Sequence, residues 1–298
     1  MKKSYNNLNL NDKKKIIDFY YSNKSICFEE ISDVLGVSCR SVSRVLQEAK
    51  INTRLKNRYT LNDNYFNIID CQEKAYILGF IYADGFVGDE KHNNIVISIN
   101  DRDLLEEIAS LLNFTGSIRG TSKGGFENSK EGFSLNFSSS IMATRLREIG
   151  LYPNKSLTLI KFPKIRKDLE RHFIRGYFDG DGSIYLSHNT TYHMITGEKK
   201  KYIYPTYCFS ILGTFEFLKE IEYRANFKFS KIRDTRTREI KSLEICAKKE
   251  FGYIFKYLYN DSTIKLDRKY QKWNLIKSAF IEKSVKKIRW IAGKALEP

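Results

Sequence analysis

The sequence predicts an α+β protein: a three-helix module at the N-terminus, then two copies of one αββαββα unit related by a pseudo-twofold axis. Three observations predict it. Residues 12–50 carry apolar positions at helical spacing, interrupted by one glycine. The rest of the chain runs twice through the same succession of helical and alternating segments. Each copy opens with an apolar, glycine-bearing helix that ends on an aspartate, "LGFIYADG" at 78–85 and "IRGYFDGDG" at 174–182.

At 298 residues the chain is long enough for about two domains. Hydrophobic residues make up 42% and charged residues 29%, the balance of a soluble globular protein. No apolar run reaches the roughly 18 residues of a membrane span, so no membrane is expected as a partner. The start "MKKSYNNLNLNDKKK" is basic with no apolar core behind it. A secretory signal is therefore not expected, and the protein should act inside a cell, in the cytoplasm or at the nucleoid, with an organelle left open. Cys27, Cys39, Cys71, Cys208 and Cys246 are odd in number, form no CxxC pair and read as reduced packing residues. His92, His172, His188 and His193 make no metal-ligand pattern. The informative quantity is 51 Lys plus Arg against 35 Asp plus Glu, because an excess of +16 attracts polyanions, nucleic acid first. Charge alone does not choose among DNA, RNA and acidic lipid.

The N-terminal module and its linker are assigned to residues 1–58. Its second and third helices are "FEEISDVLG" and "SCRSVSRVLQEAK". Phe28, Ile31 and Leu35 share one face, Gly36 allows a sharp turn, and Ser38 is suited to cap the third helix. In that helix Val42, Val45 and Leu46 point inward, which leaves Arg40, Ser41, Ser43 and Arg44 outside. This is a helix-turn-helix layout, whose last helix enters the major groove; a helical cap that touches no DNA is the alternative.

The first repeat is assigned to 59–165 and the second, with a basic C-terminal tail, to 166–298. After each motif helix comes an extended segment, "NIVISI" or "TYCFSIL", with one further strand expected beside the motif. An amphipathic helix follows, "RDLLEEIASLL" or "FEFLKEIEYRA", then a strand pair, "GSIRGT" with "GFSLNF" or "SKIRDT" with "KSLEICA". A helix closes each repeat, "SIMATRLREIG" or "KEFGYIFKYLY", before a lysine-bearing segment, "PNKS" or "LDRK".

A carboxylate at a helix C-terminus faces the negative end of the dipole, so Asp84 and Asp181 need a reason to be there. Gly79 and Ala83 are four apart, as are Gly176 and Gly180, which gives each motif helix a stripe almost without side chains. Such stripes let two helices approach at or below the roughly 8 to 10 Å of ordinary packing. Packed on each other, the helices would bring Asp84 and Asp181 together, with Gly85 and Gly182 ending them in the left-handed conformation. Two adjacent carboxylates are relieved by sharing a proton or by a hard divalent cation, for which phosphate oxygens and water complete the shell. A metal held by carboxylates on a basic protein suggests phosphodiester hydrolysis.

With these residues in view, "ILGFIYADG" and "IRGYFDGDG" resemble the two signature helices of the LAGLIDADG homing endonucleases in their single-chain, two-motif form, over residues 73 to 270. The resemblance implies a saddle of two antiparallel sheets on the DNA major groove, and Mg²⁺-dependent cleavage of both strands that leaves short 3′ overhangs. It implies two or three divalent ions, with Mn²⁺ substituting and Ca²⁺ binding without cleavage. It assigns metal binding to Asp84 and Asp181, with the carbonyls of Ala83 and Gly180, and an assisting basic role to Lys155 and Lys269. Many relatives place glutamine or lysine after the first long strand. Here Asn100 stands in the first repeat and Gly213 in the second, which puts equal cleavage of the two strands in doubt.

DNA readout is expected from alternate residues of the sheets. Arg119 and Lys123 are the first repeat's contributions, and Lys231, Arg233, Arg236, Arg238 and Lys241 the second's. The partner is then double-stranded DNA with an asymmetric target, bound by a monomer. A non-cleaving transcriptional regulator and an RNA-binding intron maturase are the alternatives on the same fold.

Overall fold

The structure, a computed structural model, describes residues 2–22, 27–51, 59–121, 131–153 and 161–276, the side chains at 189 and 205 aside. Its contacts divide the chain into two units, residues 1–60 and 61–298.

The first unit is three helices, α1 (Leu10–Ser22), α2 (Phe28–Leu35) and α3 (Cys39–Glu48). Ile16, Tyr20, Ile31, Val37, Val42, Val45 and Leu46 close one core; of the positions that the apolar spacing predicts, Ile31, Val42, Val45 and Leu46 are in it, and Phe28 and Leu35 pack against it partly buried. Cys27 and Glu30 form a reciprocal capping box at the start of α2. Gly36 takes φ 65°, ψ 28°, the left-handed turn that separates α2 from α3. The Ser38 hydroxyl accepts from the Ser41 amide and caps α3.

The second unit contains the two repeats. The first runs α4 (Gln72–Asp84), β1 (Gly85–Val87), β2 (Asn94–Ile99), α5 (Arg102–Leu111), β3 (Arg119–Thr121), β4 (Gly132–Ser138) and α6 (Ser140–Ile149). The second runs α7 (Glu170–Asp181), β5 (Gly182–Ile195), β6 (Glu198–Gly213), α8 (Phe215–Arg224), β7 (Lys231–Asp234), β8 (Lys241–Ile245) and α9 (Lys248–Tyr259). Residues 267–276 are again helical. The two sheets are antiparallel with the same strand order, β1-β2-β4-β3 and β5-β6-β8-β7. The αββαββα order expected from the sequence is therefore present twice.

Period-two alternation sets the inner face of each sheet. Ile95 and Ile97 of β2 pair with Phe137 and Leu135 of β4, all four buried. In the second sheet Phe209 and Ile211 of β6 pair with Ile245 and Leu243 of β8, equally buried. Phe178 of α7 stacks on Phe209 with ring centroids 4.6 Å apart, which seats the motif helix on its own sheet.

Three features differ from the sequence reading. Gly85 and Gly182 are not left-handed; they sit at φ −82° and −90° with ψ near 160°, because the chain passes from helix straight into strand. Crowding is what requires glycine: a Cβ on Gly85 would stand 2.6 Å from Ile81 Cα, and one on Gly182 2.0 Å from Phe178 Cδ2. Cys208 and Cys246 are joined in a disulfide, not reduced, because they extend the β6–β8 ladder one pair beyond Phe209 and Ile245, with Cα atoms 4.2 Å apart. Finally, the segment read as "TYCFSIL" is the end of a much longer ribbon. β5 and β6 pair continuously from Gly182 opposite Ile211 to Ile195 opposite Glu198. Its tip, Thr196 and Gly197, has φ 51° and 85°, the doubly positive turn that suits a two-residue hairpin.

Candidate functional site

The site begins with the packing of α4 against α7. A Cβ on Gly79 would stand 2.0 Å from Phe173 O, and one on Gly176 2.0 Å from Tyr76 O. Backbone meets backbone at these glycines, which is the close approach the bare stripes predict. One turn further on, a Cβ on Gly180 would lie 2.3 Å from Ala83 Cβ and 3.3 Å from Asp84 Oδ2. The Asp84 carboxylate therefore overlies the residue that precedes Asp181. Asp84 is exposed and Asp181 half-buried, whereas Ala83 is buried and Gly180 half-buried.

Both charges act on the same neighbours. Tyr177, buried in α7, has its phenol held well above the usual value by burial and then by Asp181 and Asp84. Its hydroxyl donates to Leu212 O at 2.9 Å. The same hydroxyl would lie 3.1 Å from a Cβ on Gly213, so it fills the space that a side chain there would need.

Lys269, to which the resemblance assigns an assisting basic role, is the second neighbour. It is 6% exposed, and Nζ donates to the carbonyls of Gly182 (2.6 Å), Phe178 (2.7 Å) and Asp179 (2.8 Å), with a longer contact to Gly180 O at 3.3 Å. The ammonium protons thus meet carbonyls at the end of α7 and the start of β5, one of which, Phe178 O, also accepts from the Gly182 amide. Burial lowers its pKa to about 8, against the opposing pull of Asp179, Asp84 and Asp181. Lys269 is a C-terminal cap on the helix that carries Asp181.

Asp179 belongs to the frame. It is fully buried and accepts from Tyr76 OH at 2.9 Å, Tyr259 OH at 2.7 Å and the Leu266 amide at 2.8 Å. One carboxylate thereby ties the first motif helix, the second motif helix and the chain after α9. Tyr82 stands at the same motif position in α4, and its hydroxyl donates to Ile149 O at the end of α6. In each repeat the residue two before the terminal aspartate reaches the repeat's own closing helix or the chain just after it.

The donor set at the helix ends is all oxygen: two carboxylates and the neighbouring carbonyls. Among the described residues no group of three or more His, Cys, Asp and Glu side chains is arranged to hold a metal. Such a set suits a hard divalent cation that completes its shell with water or phosphate, and it does not suit zinc.

The other expected site residues fall in three groups. Arg40 and Arg44 are exposed on α3, and Arg44 lies over the Tyr5 ring at 4.1 Å. Ser43 is half-buried. Ser41 does not point outward: it is fully buried, its hydroxyl 2.7 Å from that of Ser38, because it continues the inner face that caps α3. On the sheets Arg119 and Lys231 are exposed, and so are Arg236 and Arg238 in the β7–β8 connection. Arg233 pairs with Glu244 at 2.8 Å and Lys241 with Asp234 at 2.6 Å. Asn100 Oδ1 would lie 3.1 Å from a Cβ on Gly132. Lys123 and Lys155 lie outside the described residues.

The family described as "LAGLIDADG-like domain" matches residues 72–149, the first repeat from α4 to α6. Residues 72–149 are thus similar to the LAGLIDADG-like domain. Structures similar to it include the I-LtrWI LAGLIDADG homing endonuclease bound to target DNA, 14% identical with a TM-score of 0.48, over 74% of this chain and 92% of that one. Meganuclease I-SmaMI bound to uncleavable DNA is 14% identical with a TM-score of 0.48, over 74% and 97%. LAGLIDADG meganuclease I-AabMI bound to uncleaved DNA is 13% identical with a TM-score of 0.46, over 72% and 96%. No curated protein sequence matches. The matched segment contains α4, and α7 stands at the corresponding place in the second succession of elements.

Proposed function

We propose that this chain is a DNA endonuclease that hydrolyses phosphodiesters in both strands of a long, asymmetric duplex target with Mg²⁺, and acts inside the cell as a monomer. The observation that carries the reading is the placement of Asp84 against Gly180 at the ends of two helices packed backbone to backbone. A packed core needs no acid there, and the dipoles of both helices disfavour it. Asp84 and Asp181, with the carbonyls of Ala83 and Gly180, would hold the cation. A divalent ion bound by these oxygens supplies positive charge to the phosphodiester and lowers the pKa of water.

The chain's own residues do the rest. Lys269 fixes the terminal turn of α7 and with it the direction of Asp181. Tyr177, held neutral, donates to Leu212 O and so ties α7 to β6. The exposed Arg119, Lys231, Arg236 and Arg238 offer charge to the backbone of a duplex. Arg233 and Lys241 must first exchange their carboxylate partners. The short 3′ overhangs follow the family resemblance, as do Mn²⁺ in place of Mg²⁺ and Ca²⁺ as a non-cleaving substitute.

The test is cleavage of a randomised duplex library in Mg²⁺, followed by Asp84→Asn and Asp181→Asn on the selected target. Each single change should abolish double-strand cleavage and leave metal-free binding equal or tighter, as repulsion from phosphates falls. Mutants that cut as fast as the parent refute the assignment. A parent that binds tightly and never cuts identifies a regulator; tight binding of intron RNA with no duplex binding identifies a maturase.

A further inference from the structure

The corner where β5 leaves α7 holds a second feature, beside Lys269. A cavity of about 290 Å³ is lined by Gly182, Ser183, Ile184, Arg268, Lys269 and Lys272. Three of the six are cations and none is an acid. We propose that this corner is a phosphate subsite, which takes one backbone phosphodiester of the DNA strand that passes Asp181, held by Arg268, Lys272 and the Ser183 hydroxyl. The proposal rests on the nuclease reading and adds to it the residues that anchor one strand.

Each side chain is placed for that role by a separate cause. Ser183 is exposed and follows Asp181 by two residues, so a strand that meets the carboxylate also meets this hydroxyl. Arg268 and Lys272 are four apart on the 267–276 helix and therefore share a face. Lys269 lines the same cavity with its ammonium committed to the carbonyls of Phe178 and Asp179. Arg268 Nε also donates to Asp101 Oδ2 at 2.8 Å, a pair whose side chains are 55% and 26% exposed. An exposed pair of this kind is weak, and a phosphate accepts from a guanidinium in the same forked geometry as a carboxylate. Asp101, at the start of α5 in the first repeat, makes no cap with its side chain and so remains available as the resting partner of Arg268. DNA entry would exchange the carboxylate for the phosphate.

The experiment measures affinity of the full chain for a mixed-sequence DNA duplex, without divalent ions, between about 50 and 200 mM salt. The proteins are the parent, Arg268→Gln, Lys272→Met, Asp101→Asn and the combination of Asp101→Asn with Arg268→Gln, each checked for an unchanged thermal midpoint. Each lost phosphate contact should lower the slope of log affinity against log salt by about 0.9, so that the loss of affinity across this range shrinks about 3.5-fold. Asp101→Asn should tighten binding in the parent and have no effect once Arg268 is gone, the non-additivity of a shared interaction. Unchanged slopes in a parent that binds duplex overturn the subsite and leave the nuclease reading standing. Asp101→Asn that tightens binding equally with and without Arg268 reports general charge only and also overturns it. A parent that does not bind duplex DNA removes both readings.

Discussion

Lys269 and His172 show how a single buried group takes its role from what surrounds it. Lys269 supplies protons to carbonyls at the end of α7 from a segment about 90 residues away in sequence. Lys269→Met would keep the apolar stem and remove the ammonium from those carbonyls, of which Phe178 O alone keeps the Gly182 amide. We expect a loss of about 3 kcal/mol in unfolding free energy, read by chemical denaturation, because several buried acceptors lose their donor together. His172 sits beside the Arg175 guanidinium, which lies 2.6 Å from its Nδ1. Burial, and then that charge, lower its pKa to about 4 from 6.5. On acidification the unfolded chain takes up the proton first, so the contribution of neutral His172 is complete above pH 6.5 and is lost as the pH falls toward 4. The unfolding free energy of the parent minus that of His172→Gln should fall across this window and be flat above it. Asp84 and Asp181 were legible because they break a local rule within nine residues. Ser41 was misread because a hydroxyl on a basic-looking helix turns inward when Ser38 satisfies it. Asp179 gave no signal that set it apart from Asp181, since only the fold brings Tyr76, Tyr259 and Leu266 to it.

Among the elements, α4 and α7 are the pair whose contact was written most openly in the sequence. Four-residue spacing of small residues is enough to expect close helices, and the structure sets Gly79 against Phe173 O and Gly176 against Tyr76 O. The neighbour in each case is backbone, so a new methyl can be accommodated only if a helix moves. Gly79→Ala or Gly176→Ala should therefore cost at least the 1 to 3 kcal/mol or so of an overpacked core. Gly120→Ala on β3, where a Cβ meets nothing within 4 Å, should be near neutral in the same denaturation series. The β5–β6 ribbon was the least legible element. "SHNTTYHMITGEKKKYIYPTY" mixes polar residues, lysines and a proline, which reads as a loop, and only the register with the opposite strand makes it a ladder. The disulfide escaped for the same reason: Cys208 and Cys246 are 38 residues apart, and strand pairing alone makes them neighbours.

For the molecule as a whole, the division between residues 60 and 61 separates a three-helix core from the two repeats. A chain that begins at Leu61 should keep the unfolding cooperativity of the two-repeat unit. It should also bind duplex DNA with a smaller salt slope, because Arg40 and Arg44 no longer displace counterions. Both are measurable on one truncated protein, and an unchanged slope would remove the helix-turn-helix from the DNA interface. The doubling of αββαββα was visible in sequence because each half preserves its own periodicity.

The backbone contact between α4 and α7 sets how the repeats come apart. Neither glycine helix can leave while the other stays without exposing bare peptide groups of both, and the Asp179 carboxylate ties them a second time. Amide hydrogens on the facing turns of the two helices should therefore exchange with solvent deuterium through one shared opening, with equal free energies and equal denaturant dependence. A repeat that exchanged on its own would show that the duplication still behaves as two modules; a common rate would show that fusion has made it one cooperative unit.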